Sequence, residues 1–333
     1  MKGRVLRVLE TVACLIVIVA SFGGAPRAWA QDRFSEWSEP VNLGPEINTA
    51  SNDQHPALSP DGLSLYFVSD REGNVDGSLA GTFDIWVSHR ASADSPWEAP
   101  QNLGPTVNSI YTEYAPNLSF DGHWLFFGSD RPGGCGSRDV WASHRKDKKV
   151  NFGHGGWETP VNLGCTLNSS EFDDGPTFFE DPRTNILTMY FTSQNRPGGQ
   201  GDFDIWESTE RPDESWGTPV NVAALNSPFR DTRTAIRHDG LEIFLTSNRP
   251  GSILNGGVPS LDLWVSARDS TSDPWGVPVN LGPVVNSSSN DGAPALSRDG
   301  TELYFYSNRP GGFGANDLYV VTRTKLDTCD RRR

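Results

Sequence analysis

The chain has 333 residues, 36% of them hydrophobic, and a formal net charge of −14 at pH 7. This length allows a sizeable buried core. Nucleic acids and anionic membranes bind basic surfaces, so the acidic balance argues against both as partners, while it suits solubility, a cation or a neutral sugar without selecting among them.

The N-terminal segment 1–30 has the features of a secretory signal peptide. Three basic residues precede an apolar stretch at 11–20, and Ala28-Trp29-Ala30 fits a small-x-small cleavage site. We expect cleavage after Ala30 and a periplasmic or secreted protein. The apolar stretch is too short to cross a bilayer and no second one follows, so no membrane span is predicted. The residues from 31 onward contain 24 basic and 41 acidic side chains, a net charge of −17.

Three cysteines lie beyond the predicted signal peptide, at positions 135, 165 and 329. An odd number leaves one unpaired in an oxidising compartment. Cys135 and Cys165 lie in adjacent repeats of the chain and are the candidate pair. The alternative, that all three are incidental, stays open.

One segment occurs five times, first as WSEPVNLG from Trp37. It returns at almost equal intervals as WEAPQNLG, WETPVNLG, WGTPVNVA and WGVPVNLG, from Trp97, Trp157, Trp216 and Trp275. A nearly constant period indicates a repeat architecture. It also aligns the repeats with one another, so that positions at which they differ can be identified.

Each repeat predicts four short strands. In the first repeat they are residues 53–58, residues 65–69 after a Ser-Pro-Asp-Gly turn, residues 84–88 after a Gly-rich loop, and the segment from Trp97. Five such units without helical periodicity predict an all-β fold, a five-bladed β-propeller with four antiparallel strands in each blade. Nine tryptophans recur at two repeat positions, as packing between neighbouring blades would require.

The chain begins with a fourth-strand segment and ends with a third-strand segment at Asp317–Val321. We therefore expect the strand near 37–42 to pair with residues near 317–323, which completes the last blade and removes its open edge. The predicted domains are a signal peptide at 1–30, a single propeller at 31–323 and a polar tail at 324–333.

The repeat unit NDxxPALSPDGxxLYFxSxR, followed by GG and DLWVS, resembles the WD40-like (PD40) β-propeller repeat of the TolB type. Residues 290–309 with 317–321, and 52–71 with 84–88, carry the resemblance, and it extends over residues 37–323. It implies the propeller fold and an exported bacterial protein. The chain has no room for the additional α/β domain of TolB, so TolB's role does not carry over.

Acidic residues occupy the same place in all five repeats, three residues before the first-strand Pro or its equivalent. They are Asp53, Glu113, Asp173, Asp231 and Asp291. We expect them to ring one mouth of the central channel. A cation such as calcium, or carboxylates for glycoside hydrolysis, are functional interpretations; the structural interpretation, favoured by fivefold repetition, is that each caps backbone N–H groups or pairs with an Arg of its own blade.

The repeats differ immediately beside these acids. We expect the differing residues to form a polar and aromatic ligand pocket on the face that carries the long Gly-rich loops; the alternative is drift at exposed loop positions. The predicted ligand-binding residues are Gln54, His55, Tyr114, Asp174, Phe229, Arg230 and Arg233.

Recurring Arg and Asp residues such as Arg71 and Asp84, or Arg196 and Asp204, predict structural ion pairs between the second and third strands. Motifs of zinc proteases, P-loop proteins and serine hydrolases are missing from the sequence. No cofactor and no metal is assigned.

The sequence therefore predicts a monomeric exported propeller without catalytic activity, which binds a protein or a glycan on its loop face. The alternative is a carbohydrate-active enzyme of the glycoside hydrolase kind. Its carboxylates would come from Asp53, Glu113, Asp173, Asp174 and Asp231.

Overall fold

The computed structural model describes residues 33–75, 77, 82–145 and 156–326. The predicted signal peptide and residues 327–333 of the predicted tail lie outside the described residues. Regular structure in the described part is β-strand throughout, and within that part no helix is long and apolar enough to cross a membrane.

Five four-stranded antiparallel sheets form the five blades. Blade 1 consists of β2 (Asp53–Leu58), β3 (Ser64–Ser69), β4 (Asp84–His89) and β5 (Gln101–Asn102). Blade 2 consists of β6 (Glu113–Leu118), β7 (Trp124–Ser129), β8 (Asp139–His144) and β9 (Val161–Asn162). Blade 3 consists of β10 (Asp173–Glu180), β11 (Leu187–Gln194), β12 (Phe203–Thr209) and β13 (Val220–Asn221).

Blade 4 consists of β14 (Asp231–Ile236), β15 (Glu242–Ser247), β18 (Asp262–Ala267) and β19 (Val279–Asn280). Its long loop carries a small hairpin of β16 (Leu254–Asn255) and β17 (Val258–Pro259). Blade 5 consists of β20 (Asp291–Leu296), β21 (Glu302–Ser307), β22 (Asp317–Thr322) and β1 (Val41–Asn42). The predicted five-bladed propeller is confirmed.

Ring closure also follows the prediction. β1 pairs with β22 in antiparallel register, Val41 opposite Val320 and Asn42 opposite Tyr319. The backbone N–H of Ser38 extends this pairing with a hydrogen bond of 2.8 Å to the carbonyl of Thr322. The N-terminal strand thus covers the edge that an unfinished last blade would expose.

The hydrophobic core lies between blades rather than inside them. Each of five buried clusters combines side chains from two neighbouring blades. Trp97 meets Tyr304 of blade 5 edge to face, with ring centroids 6.4 Å apart, and Trp275 meets Tyr190 of blade 3 at 6.3 Å. The repeated tryptophans therefore connect adjacent blades. Those of the Trp segments precede the short fourth strands, whereas the sequence predicted that they lie within them.

The candidate cysteine pair forms a disulfide. Cys135 and Cys165 are bonded, with their Cα atoms 5.6 Å apart and a sequence separation of 30. The bond joins the β7–β8 loop to the turn that follows β9. Cys329 lies outside the described residues.

Candidate functional site: the channel mouth on the loop face

The first strands of the five blades surround the central axis, each in contact with the next around the ring. In every blade this strand contains a bulge two residues after its acidic residue, where φ lies in the left-handed region, between 48° and 62°. The five left-handed residues are His55, Ala115, Gly175, Arg233 and Ala293. Three are small, so the bulges place only one imidazole and one guanidinium into the channel.

The ring of acidic residues is bound within its own blades. In blade 3, Asp173 accepts hydrogen bonds from the backbone N–H and the hydroxyl of Ser169, at 2.5 and 2.6 Å, and pairs with Arg196 at 2.9 Å. The other four blades repeat the arrangement with Asp53–Arg71, Glu113–Arg131, Asp231–Arg249 and Asp291–Arg309. All five carboxylates are fully buried, so each is committed to the local contacts of the structural interpretation.

The predicted partners of the repeated arginines were wrong. Arg71 pairs with Asp53 on the first strand and not with Asp84 on the third, and Arg196 pairs with Asp173 and not with Asp204. The third-strand aspartates instead accept from the Gly-rich loop of their own blade, as in the bond of 2.7 Å from the Gln200 backbone to Asp204. The ion pairs therefore join the first and second strands of a blade. The third-strand aspartate instead binds the backbone of the Gly-rich loop that precedes it.

A cavity of about 340 Å³ opens at this channel mouth. Among the described residues, the charged side chains that line it are those of Arg138, Arg230 and Arg233, and His55 lies beside them. Five aromatic rings surround them. These rings belong to Phe83, Tyr114, Phe172, Phe203 and Tyr306. Among the described residues no carboxylate lines the cavity, so its wall is cationic and aromatic within a strongly acidic protein.

One buried network crosses the channel. Both terminal nitrogens of Arg233 donate to the carboxylate of Asp174, and Nη2 lies 2.8 Å from Oδ2. The Nε of Arg233 donates to Nδ1 of His55 at 3.2 Å. It thereby connects blade 4 with blades 3 and 1. The Asp174 carboxylate is fully buried behind the two guanidiniums that it contacts, Arg233 and Arg138.

Arg138 enters the same network from blade 2. Its guanidinium lies between two rings, 4.8 Å from the centroid of Tyr114 and 4.6 Å from that of Phe172. It reaches Asp174 only through one bond of 3.5 Å from Nη1. Its Nε is buried and has no hydrogen-bond partner among the described residues. Most of the five N–H donors of this guanidinium are therefore unused among the described residues.

Burial and neighbouring charges set the protonation states of the network. Burial, with the guanidiniums of Arg233 and Arg138, holds the pKa of His55 well below its usual 6.5, so the ring is neutral at pH 7. Because Nδ1 accepts from Arg233, Nε2 carries the proton and is a donor. Burial raises the pKa of the Asp174 carboxyl, and the same two guanidiniums oppose the rise.

Six of the seven predicted ligand residues belong to this region. The cavity is lined by four of them, His55, Tyr114, Arg230 and Arg233, and Asp174 lies behind the arginines. The side chain of Gln54 accepts a hydrogen bond of 3.1 Å from the hydroxyl of Tyr114. The seventh, Phe229, is exposed and is not part of the lining.

The carboxylates considered for catalysis do not gather at the cavity. Four of them are the blade-bound acids described above, and only Asp174 lies at the centre of the network. Within the described residues no group of three or more His, Cys, Asp or Glu side chains is arranged to hold a metal ion.

Sequence reasoning missed Arg138 and Tyr306. The internal alignment contained the signal for Arg138, because the residue before the third-strand Asp is Phe83, Arg138, Phe203, Leu261 and Asn316 in the five blades. Only one of these is charged. Tyr306 occupies a second-strand position where blade 2 has Gly128 and blade 3 has Thr192, a difference whose meaning depends on knowing that this position faces the channel.

No model of a known protein family matches the sequence, and no curated protein matches it. Solved structures share the fold. They include a glycoside hydrolase with a TM-score of 0.58 at 11% identity, covering 89% of this chain and 94% of that one. The α-L-arabinofuranosidase PaAbf62A from Podospora anserina, in complex with cellotriose, has a TM-score of 0.54 at 11% identity, with 86% and 97% covered.

The GH43_1 enzyme from Xanthomonas citri, complexed with xylotriose, has a TM-score of 0.50 at 12% identity, with 87% and 91% covered. At these identities the likeness shows the fold alone. The resemblance to TolB-type repeats remains a prediction at the level of the repeat family.

Proposed function

We propose that the protein binds a carbohydrate in the cavity at the channel mouth. The observation that carries the proposal is that five aromatic rings and three guanidiniums converge on this cavity. They lie at repeat positions that are occupied by different residues from blade to blade. Aromatic faces stack against the C–H faces of sugar rings, while buried donors fix the orientation of a ligand. The cavity volume of about 340 Å³ suits one or two sugar units.

Two further observations support a sugar as the ligand. Propellers of the same fold have been solved in complex with cellotriose and with xylotriose. The cavity also lies on the face with the long loops, where the rigid first strands present variable side chains without a change in the fold.

Glycoside hydrolysis is the second candidate, favoured by the fold shared with glycoside hydrolases. Such chemistry uses two carboxyl groups on either side of the scissile bond. Within the described part of the chain Asp174 is the one carboxylate at the centre of the site, and it pairs with Arg233 and Arg138. A bidentate pair of this kind occupies the Asp174 carboxylate, which supports binding, while the fold shared with glycoside hydrolases supports the carbohydrate-active alternative.

Export is part of the proposal. The predicted signal peptide would place the protein in the periplasm or outside the cell, an oxidising compartment in which the Cys135–Cys165 disulfide persists. Intact-mass measurement of the protein isolated from producing cells should show a chain beginning at Gln31. A chain beginning at Met1 would refute the export proposal.

A glycan array followed by calorimetry on residues 31–333 tests the binding proposal. Wild-type protein should bind at least one glycan, and Arg233→Ala should abolish that binding. Arg298→Ala is the matched control, because Arg298 lies at the opposite mouth of the channel. An equal loss of glycan binding in both variants would contradict the proposal. So would a cavity face that binds proteins but no glycan. Release of reducing ends by wild type but not by Asp174→Asn would favour hydrolysis.

A further inference from the structure

The charge of the cavity goes beyond what a neutral sugar requires. Of the residues that the structure describes, three arginines line it, and the carboxylate of Asp174 lies behind two of them. Arg230 stands at the rim over the ring of Phe203, 4.3 Å from its centroid, and its partner Asp202 is exposed. Asp174 and the exposed Asp202 together offset two of the three guanidinium charges, which leaves the site with a net positive charge in a chain whose overall charge is −14.

Both arginines of the network, Arg138 and Arg233, line the cavity and keep N–H donors that the described residues do not use. Asp174 takes one N–H from each terminal nitrogen of Arg233, and each of those nitrogens has two. Arg138 makes a single long bond and has a buried Nε without a partner among the described residues. A buried guanidinium nitrogen without an acceptor is costly, and a bound oxyanion would remove that cost.

Held between Tyr114 and Phe172, Arg138 also has a fixed plane. A guanidinium that cannot rotate loses little entropy when it binds a planar group such as a carboxylate. Its counterparts in the other four blades are Phe83, Phe203, Leu261 and Asn316, so the repeat itself does not require an Arg here.

We propose that the site recognises an acidic sugar, whose carboxylate or sulfate ester lies against Arg138 and Arg233 while its ring packs on the neighbouring aromatic side chains. This inference rests on the proposed carbohydrate function and specifies its ligand class. The neutral His55, which donates from Nε2, adds a donor to the same set. The cavity wall therefore offers an anion the N–H donors of Arg138, Arg233 and His55.

The test compares matched sugars on residues 31–333 by calorimetry. Galacturonate, glucuronate and mannuronate and their short oligomers are measured beside galactose, glucose and mannose, with galactose 6-sulfate as a separate arm. At least one acidic sugar should bind about tenfold or more tightly than its neutral counterpart, and added salt should weaken that preference. A preference for the sulfate ester or for the carboxylate identifies the source of the oxyanion.

Two variants separate recognition from folding. Arg138→Gln should lower affinity for the acidic sugar about tenfold and affinity for its neutral counterpart by a much smaller factor, so that the preference for the acidic sugar falls. Arg230→Gln, on an exposed side chain that the fold does not need, should reduce the acidic preference by a smaller factor of about three. Arg298→Gln at the opposite mouth is the control and should change neither affinity.

The possible failures are distinguishable. Equal binding of acidic and neutral sugars by wild type, or an unchanged preference in both Arg138→Gln and Arg230→Gln, would overturn the acidic-sugar proposal while the carbohydrate function stands. Absence of binding to every sugar tested, alone and as oligomers, would overturn both.

Discussion

Arg233 of blade 4 holds Asp174 of blade 3 in a two-pronged salt bridge across the boundary between the blades, with Nη2 2.8 Å from Oδ2. Neither residue has a charged counterpart at its position in the other blades, where position 174 corresponds to Gln54, Tyr114, Thr232 and Gly292. The pair is therefore a local addition to the repeat. It fixes the guanidinium that also orients His55.

Replacing Asp174 should destabilise the fold. Asp174→Asn leaves the guanidinium of Arg233 buried without its counter-charge, and we expect a loss of about 3–5 kcal/mol in the free energy of unfolding, measured by urea denaturation. Asp202→Asn is the control, because the exposed Asp202–Arg230 pair should contribute less than about 1 kcal/mol. A loss of the same size in both variants would contradict the assigned role of the buried pair.

The repeated Arg–acid pairs should be needed for stability and not for ligand recognition. Arg196 donates to Asp173 at 2.9 Å and to the Leu167 carbonyl at 2.5 Å, so Arg196→Ala should cost about 3–5 kcal/mol. At temperatures below its unfolding transition the variant should bind sugars as wild type does. Arg183→Ala, on an exposed side chain, is the control and should leave stability within about 0.5 kcal/mol. A selective loss of sugar binding in Arg196→Ala would place this pair in the site.

Gly128 should control the site without contacting the ligand. A Cβ at this position would lie 2.5 Å from Cβ of Asp174 and 3.2 Å from Cδ of Arg138. Gly128→Ala should therefore displace both side chains and weaken sugar binding at least about tenfold in calorimetry. Gly217→Ala, whose Cβ would meet the Thr209 carbonyl at 3.2 Å away from the cavity, is the matched control and should bind normally. Wild-type affinity in Gly128→Ala would show that this packing does not position the arginines.

His55 should make stability fall in acid. Its pKa in the folded protein lies well below 6.5, so the unfolded chain takes up a proton at this residue first as the pH decreases. The folded state therefore loses up to about 1.4 kcal/mol per pH unit below pH 6.5, until the folded pKa is reached. Above pH 6.5 this contribution is constant.

Subtracting the unfolding free energies of His55→Gln from those of wild type between pH 5 and 8 isolates this effect, since the other titrating groups are common to both. The difference should change only below pH 6.5, in favour of the variant. A difference that is independent of pH would show that His55 titrates normally in the fold.

The sequence predicted the architecture well because each period of the repeat corresponds to one blade of the propeller. The spacing of the Trp segments determined the number of blades, and the order of the strand signals determined that residues 37–42 would close the ring. Long-range pairing was predictable here because the same local unit had to pair in the same way five times.

The ion-pair partners were not predictable in this manner. Arg71 lies between Asp53 and Asp84 in the chain, and acidic residues recur at both of these positions in every blade. Only the register of β2 against β3 places Asp53 opposite Ser69, next to the guanidinium.

The composition of the site was predicted in part. Comparison of the blades identified His55, Tyr114, Asp174 and Arg233, since these are exceptions to the repeat. Their convergence, however, depends on the left-handed bulge at His55 and Arg233, which turns two side chains into the channel. Non-glycine residues adopt that conformation at a cost, and no sequence signal marked them for it.

The most direct test of the account is a crystal structure of residues 31–333 bound to the glycan that binds most tightly. We predict that the sugar lies in the channel-mouth cavity, with its ring against Tyr114 or Phe172 and its anionic group within about 3.2 Å of nitrogens of Arg138 and Arg233, the usual hydrogen-bond limit. A sugar bound at the opposite mouth, around Phe120 and His238, or between blades 2 and 3, would contradict the assignment of the site.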